Sequence, residues 1–425
     1  MPDTAQSLII IVGGSDQLYR EYSHEWIAAE YPIAVITAEP PTWQRRLIVD
    51  HEVADTRDSD SVRAAGRSLA LRHRIAGVLT WDEFALVPTA ALAADLGLSG
   101  NSISSMSASR DKATSRRKFA ENGVPSAKST PVDSLVAAAA AADHTGYPIV
   151  LKPASYAGAI GVIRVDTAED LPAAWSFTTA GATGQGREGS GVLVEEYLAG
   201  PEISVECVTI EGRTTALAVV RKELGFAPYF EQLGQAVTAA DPLLPEVAPV
   251  AAAAVQALGV REGVQHVEMR LTATGPRIIE VNSRIAGDLI GVLVRLATGL
   301  DLPRIAADIA CGRTPELTPS EQKSAAIRML YPTHSGVLTT REISGSPDLE
   351  YPWLERFRWE HAVGDNVILP PEGNLETARI GFMVVTADSQ SQAYERLDLV
   401  EKRLVLQVSS DQDRDSESVP SVVAL

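Results

Sequence analysis

Gly263-Val-Gln-His266-Val-Glu268-Met-Arg270-Leu-Thr272-Ala-Thr-Gly275-Pro276-Arg-Ile278-Ile-Glu280-Val-Asn282-Ser-Arg284 is the run from which the architecture can first be read. Polar and apolar residues alternate on both sides of Thr272 to Pro276, and that period of two predicts a pair of half-buried strands joined by a tight turn. With Gly275 supplying a left-handed residue, a three-residue loop Ala273-Thr274-Gly275 pairs Thr272 with Pro276 and sets Glu268 across from Glu280. Cross-strand β-carbons lie roughly 4.5 to 5.5 Å apart, and like charges at that spacing repel. A cation is therefore expected between the two carboxylates. With Asn282 and Arg284 following on the same face, the cluster suits a divalent metal beside phosphate, Mg²⁺ above others.

Outward from this hairpin, the chain has 425 residues, enough for two or three lobes with a sizeable core. Its apolar content of 45% and net charge of -18 describe a globular chain that does not seek nucleic acid or anionic lipid. No apolar run approaches the roughly 18 residues of a membrane helix, and Met1-Pro-Asp-Thr lacks the basic start of a signal peptide, so a cytoplasmic protein is expected. Cys207 and Cys311 stand far apart, too few for a disulfide scaffold or zinc spacing, and read as small core residues.

The first hundred residues repeat a strand and helix rhythm: Leu8 to Val12, Leu18 to Ala29, Pro32 to Ile36, Ile75 to Leu79 and Pro88 to Leu96. That rhythm predicts a parallel sheet covered on both faces. The double glycine Gly13-Gly14 after the first strand is no G-x-G-x-x-G and is explained by a turn. Ser109 is a candidate cap for a helix from Arg110 to Glu121, closed by Asn122-Gly123, and a second helix is expected over Asp133 to Ala142. Pro148 to Lys152 and Val162 to Val165 then flank the glycine-bearing loop Ser155-Tyr-Ala-Gly158-Ala-Ile-Gly161. Thr179 to Ser190, rich in glycine, threonine and serine, is expected to be mobile, and the tail 409–425 disordered.

Lys152 at a strand end beside a glycine loop is placed to meet phosphate oxygens while backbone N–H groups of Ser155 and Gly158 close over them. Alone, that placement reads first as an ordinary strand-end lysine. The same holds for Arg110-Asp111-Lys112 at a helix start and for Glu195-Glu196-Tyr197-Leu198 with Glu202. Their order is more informative. Arg110-Asp111-Lys112, Val124-Pro125, Tyr147-Pro-Ile-Val-Leu-Lys152-Pro, Val194-Glu195-Glu196-Tyr-Leu198, Gly200-Pro-Glu202, Glu268 and Glu280-Val-Asn282-Ser-Arg284 follow one another as in an ATP-grasp ligase. The chain resembles, more narrowly, the carboxylate–amine ligases that include the L-amino acid ligases making dipeptides.

The resemblance implies an α/β chain with α+β lobes. An N-terminal Rossmann-like domain would span 1–107, the ATP-grasp lobes 108–320 and a C-terminal α+β lobe 321–408. It implies that Lys112 and Lys152 contact ATP phosphates, that Glu195, Glu196 and Leu198 line the adenine slot through side chains and backbone, and that Glu202 holds the ribose. Glu268, Glu280 and Asn282 would bind one or two Mg²⁺ ions, with Mn²⁺ as a substitute, and Arg284 would hold the transferred phosphate. A small carboxylate would form an acyl-phosphate and an amine would displace phosphate from it; relatives are commonly homodimers. His266 reads as a structural histidine. Substrate choice is expected in the loop Arg221 to Gln235, where relatives often carry histidine in place of Gln235. Glu231 there suits an amino group and Arg221 a carboxylate, and Gly287-Asp288 is expected beside the acyl substrate. A bicarbonate carboxylase, a thiol ligase and a nucleotide-binding regulator without turnover are the competing readings.

Overall fold

A computed structural model describes residues 7–14, 16–155, 158–183, 191–346 and 350–409. The chain opens with β1 (Leu8–Val12), α1 (Gln17–Ala28), β2 (Ile33–Thr37), β3 (Asp50–Val53), α2 (Ser59–Arg72), β4 (Ile75–Leu79) and α3 (Leu86–Asp95). These strands form a parallel sheet in the order β3-β2-β1-β4. β1 and β2 are wholly buried, which is why they read as continuous apolar runs. β3 and α2 carry no such run. Asp50 and Glu52 on the edge strand pair with Arg72, so this edge presents charge instead of an apolar period.

Two short helices follow, α4 (Ile103–Arg110) and α5 (Lys112–Glu121). Asp111, not Ser109, caps α5: its carboxylate accepts from the Thr114 N–H. Ser109 lies inside α4, its hydroxyl bonded to the Ser105 carbonyl and the Ser283 hydroxyl. The expected helix is therefore α5, begun two residues later at Lys112, and α4 is an additional helix that ends where Asp111 offers the backbone an alternative to helical bonding.

β5 (Ser129–Val132), α6 (Leu135–Thr145), β6 (Ile149–Pro153), β7 (Ile163–Val165), α7 (Leu171–Thr183) and β8 (Val192–Glu196) build a small antiparallel sheet in the order β5-β8-β6-β7. The segment expected to be mobile thus begins within α7, and its remainder, like Tyr156-Ala157 and the tail from 410, lies outside the described residues.

The largest unit is an antiparallel sheet of eight strands, β13-β12-β9-β10-β11-β14-β18-β16. Its members are β9 (Glu202–Ile210), β10 (Arg213–Gly225), β11 (Glu231–Thr238), β12 (Gly263–Thr272), β13 (Gly275–Asn282), β14 (Ser324–Leu330), β16 (Leu354–Trp359) and β18 (Gly381–Ala387). Helices α8 (Leu244–Ala257), α9 (Ile290–Thr298) and α10 (Leu302–Ala310) cover it. The sheet runs unbroken past the expected boundary at residue 320, since β11 pairs with β14. A three-stranded sheet of β15 (Gly336–Ile343), β17 (Asn366–Val367) and β19 (Leu404–Ser409), with α11 (Leu375–Ala378) and α12 (Gln390–Glu401), completes the chain.

One hydrophobic cluster joins β1, β2, α1, α9, α10 and the large sheet, so the N-terminal parallel sheet is anchored on the unit that carries the Glu268 hairpin. Cys207 is fully buried and Cys311 half-buried, both as free thiols. Among the described residues, no helix is long and apolar enough to cross a membrane.

Candidate active site

Glu268 does face Glu280, by a route other than the one expected. The turn holds two residues, Ala273-Thr274, because Thr272 pairs with Gly275 and Leu271 with Pro276. That register alone would set Glu268 against Ile279. A bulge absorbs Ile279 between the Met269–Ile278 and Glu268–Glu280 pairs and restores the opposition. The positive charge that the pair requires is present as two ammonium groups. Lys222 Nζ lies 2.6 Å from Glu268, and Lys112 Nζ lies 2.9 Å from Glu280. His266, across from Asn282, bridges Glu206 at 2.6 Å and Glu268 at 3.0 Å. Burial opposes its charge, but these two carboxylates outweigh that and lift the imidazole to about 9, so it is an imidazolium at neutral pH.

A cavity of about 330 Å³ opens over this hairpin. Lys112, Lys152, Gly158, Glu195, Glu196, Leu198 and Glu202 line it together with Glu268, Glu280, Asn282 and Arg284, and Glu231, Gly287 and Asp288 line it too. Ser155 and Arg221 are not among its lining residues. Arg221 is bonded to Asp241 at 2.7 and 2.9 Å on the other face of β10, while its neighbour Lys222 enters the cavity. The segment expected to be a substrate loop is chiefly the paired strands β10 and β11. Their polar residues line a charged cavity, which erases the apolar alternation by which strands are read.

On the nucleotide side, Lys152 Nζ sits 2.6 Å from Glu195, whose carboxylate also takes Arg116 at 2.8 and 3.0 Å. Burial pulls the ammonium down to about 8: Glu195 and Glu280 favour its charge, but Arg116 and Lys112 oppose it. Burial alone would raise Glu195, but Arg116 and Lys152 bring it to about 2. Glu196 is clamped by Arg277 at 2.7 and 2.9 Å. Both carboxylates expected to bond a base are thus already engaged, Glu195 by Arg116 and Lys152 and Glu196 by Arg277. Tyr197 and Leu198, past the end of β8, line the same part of the cavity. Glu202 is held by Arg270 at 3.0 Å and Lys222 at 3.3 Å. Its approach depends on Gly200, where a β-carbon would overlap the Leu271 carbonyl oxygen.

At the opposite end, Arg284 is aimed by Glu83 at 2.8 Å, a residue of the N-terminal domain. The Asn282 amide turns its NH₂ to Glu280 at 3.3 Å and Glu83 at 3.2 Å. Asp288, in a left-handed conformation, pairs with Arg379 at 2.6 Å, and Arg379 donates to the Tyr331 hydroxyl at 3.0 Å. Lys222, Glu83, Tyr331 and Arg379 were missed in the sequence. Lys222 lies next to the expected Arg221, and strand alternation turns the two to opposite faces.

The metal and nucleotide implied by the resemblance fit these residues. Among the described residues no three His, Cys, Asp or Glu side chains form a closed metal cluster. Two carboxylates and an amide are instead an open, hard donor set, suited to an ion that keeps phosphate and water in its shell. Val150, Ile160 and Leu198 give the cavity an apolar wall beside Lys112 and Lys152, as a base joined to phosphate requires.

A profile of the ATP-grasp domain matches residues 145–292. An uncharacterized protein of Sinorhizobium fredii, y4rH, is 28% identical over 72% of this chain and 64% of its own length. The alanine–anticapsin ligase of Bacillus subtilis is 27% identical over 60% of this chain and 59% of its own. The chain thus spans about three fifths of these curated relatives. An L-amino acid ligase from Bacillus licheniformis superposes with a TM-score of 0.79 at 20% identity, covering 96% of this chain and 100% of that one, a likeness of fold. With the domain profile lying over the Lys152 to Arg284 segment and the likeness to that ligase extending over 96% of the chain, the protein carries an ATP-grasp domain within an ATP-grasp fold.

Proposed function

We propose that the protein is an ATP-dependent ligase joining a small carboxylate, foremost an amino acid, to an amine, foremost a second amino acid. One observation carries this reading. Lys112 from α5, Lys152 from β6, Glu268 and Glu280 from the hairpin and Arg284 beyond it converge on one cavity, though up to 172 positions separate them (284 minus 112). The likeness to an alanine–anticapsin ligase and to an L-arginine-specific L-amino acid ligase supports an amino acid as a substrate.

In this reading Lys112 and Lys152 grip the phosphates of ATP, Glu195 holds Lys152 in place, and Leu198 packs on the base. Glu202 takes the ribose hydroxyls. Glu268, Glu280 and Asn282 would hold Mg²⁺, which would supply charge neutralisation at the phosphates. A carboxylate oxygen of the acyl substrate attacks the γ-phosphorus, the bond to the β-phosphate oxygen breaks, and ADP leaves. Arg284, fixed by Glu83, steadies the acyl-phosphate. The amine nitrogen then attacks the acyl carbon, the acyl C–O bond breaks, and phosphate departs as the nitrogen loses its proton.

ADP release with Mg²⁺ and pooled amino acids tests the proposal, with bicarbonate and a thiol as separate acceptor arms. Amino-acid-dependent ADP and a new amide by mass spectrometry are expected. ADP formed with bicarbonate alone would assign a carboxylase instead, and no ADP in any arm would leave a nucleotide binder without turnover.

A further inference from the structure

Two rows of side chains cross the large sheet on one face. Glu268 of β12 is paired with Ser204 of β9 and Glu280 of β13, and two positions earlier on β12 His266 is paired with Glu206 and Asn282. Residues two apart on a strand share a face, so His266 lies beside Glu268. Glu206 is fully buried, and its Oε1 accepts from the Ser204 hydroxyl at 3.1 Å and from His266 Nδ1 at 2.6 Å. The other ring nitrogen, Nε2, meets Glu268 Oε1 at 3.0 Å. A ring held by a carboxylate at each nitrogen cannot turn without losing both bonds, and His266 is only 5% exposed.

Lys222 Nζ reaches the same oxygen, Oε1, at 2.6 Å. Glu268 is thus asymmetric. Oε1 carries two donors, whereas Oε2 has none among the described residues, on a side chain that is 20% exposed and lines the cavity. Of the two donors on Oε1, Lys222 is a flexible stem that Glu202 also draws, at 3.3 Å. The imidazole is the fixed one, braced from beneath by Glu206.

Ions differ in what they ask of such a carboxylate. Mg²⁺ demands near-octahedral geometry at roughly 2.0 to 2.1 Å, which suits one oxygen from each carboxylate; Ca²⁺ takes about six to eight oxygens at roughly 2.3 to 2.6 Å and accepts both oxygens of one group. With two carboxylates and an amide as protein donors, Ca²⁺ approaches its larger number by claiming a second carboxylate oxygen. We infer that His266, braced by Glu206, is a positioning residue that reserves Oε1 of Glu268 and leaves a single oxygen for the metal, so that the site selects Mg²⁺ over Ca²⁺. The inference rests on the metal reading of the hairpin and adds the residue that sets its ion preference. It replaces the structural role expected for His266.

Mg²⁺ and Ca²⁺ are titrated separately into the full chain with saturating ADP, and the rise in melting midpoint gives the half-saturating concentration of each. Both ions carry the same charge and meet the same nucleotide, so a change in their ratio between parent and variant reports oxygen geometry and not electrostatics. His266→Ala should reduce the preference for Mg²⁺ by about tenfold, chiefly through tighter Ca²⁺ binding. His266→Gln, whose amide nitrogen can stand where Nε2 stands, should hold the preference within about threefold of the parent. If His266→Ala fails to fold because Glu206 is left buried and unpaired, the double variant with Glu206→Gln removes that charge and carries the same expectation. A folded variant that melts lower with an unchanged ratio overturns the inference and returns His266 to structure alone. An equal loss of preference in His266→Gln and His266→Ala overturns it too. A parent that neither ion shifts overturns the metal reading and this inference with it, whereas a parent shifted by Mg²⁺ beside a variant of unchanged ratio defeats this inference alone.

Discussion

The two ends of the cavity are built on opposite electrostatic rules. At the hairpin end each carboxylate has a cation already in place, Lys222 on Glu268, Lys112 on Glu280, Lys152 and Arg116 on Glu195. At the far end, among the described residues, Glu231 is buried with no cation within 4.0 Å and the oxygen of Gln235 is buried with no donor. The first end is neutralised before any ligand arrives and its cations can be handed to phosphate. The second is left incomplete, a state a protein tolerates when the substrate completes it. Chemistry shared across a superfamily suits the first arrangement, and selectivity suits the second.

The largest effect expected at the neutralised end is from Glu280→Ala, which removes a metal carboxylate and releases Lys112. ADP formation should fall by about 10³-fold with the far-ultraviolet spectrum unchanged, and turnover within tenfold of the parent would remove the metal assignment. Next comes Lys222→Met. Glu202 and Glu268 then share less positive charge in a buried setting, and the loss is expected to be about 3 kcal/mol by denaturant titration. Mg²⁺ should raise the melting midpoint of this variant more than that of the parent, since the ion replaces the missing charge at Glu268. Equal shifts would mean that the hairpin does not bind metal.

Lys152 gives a pH signature. Its ammonium in the folded chain is at about 8 against an ordinary 10.5, so the unfolded chain binds more protons between those values. Stability of the ligand-free protein should therefore rise with pH across the window from 8 to 10.5, and Lys152→Met should flatten that rise. Affinity for ATP should move the other way, weakening above pH 8 as the ammonium is lost. The smallest effect belongs to Arg221→Ala, outside the cavity: about 1 kcal/mol of stability from the Asp241 pair and kinetics within about threefold. A larger kinetic loss would bring Arg221 back into substrate binding.

The hairpin was legible because its period of two survives burial of one face, yet its turn was not. A two-residue turn and a bulge at Ile279 together yield the same Glu268–Glu280 pair that a three-residue loop would. Two departures cancelled, and a pairing read from alternation alone cannot reveal either. Arg221 and Lys222 show a different limit. Adjacent strand residues face opposite ways, and with both charged nothing in the local pattern says which one enters the cavity. Glu83 and Arg379 lay beyond any local reading, because each reaches the site through a neighbouring unit: Glu83 from the turn after β4 and Arg379 from the end of α11. The order of the motifs from Lys112 to Arg284 survives in sequence; the partners that tune them exist only once the large sheet has set its strand order.

That sheet has a consequence for how this protein can be altered. β14 closes β11 along five residue pairs, Gly234 with Arg328 through Thr238 with Ser324. A chain cut at residue 320 would keep every phosphate and metal residue named above and still bare the backbone of β11, whose Ala236 and Val237 are now buried. Such an open strand recruits other strands, so the fragment should self-associate. Exchange of the C-terminal region between related enzymes to transplant Arg379 would succeed only with β14 carried along in register. Recombination is constrained by a hydrogen-bonded seam, and the unit that can be inherited intact is larger than the one that performs the chemistry.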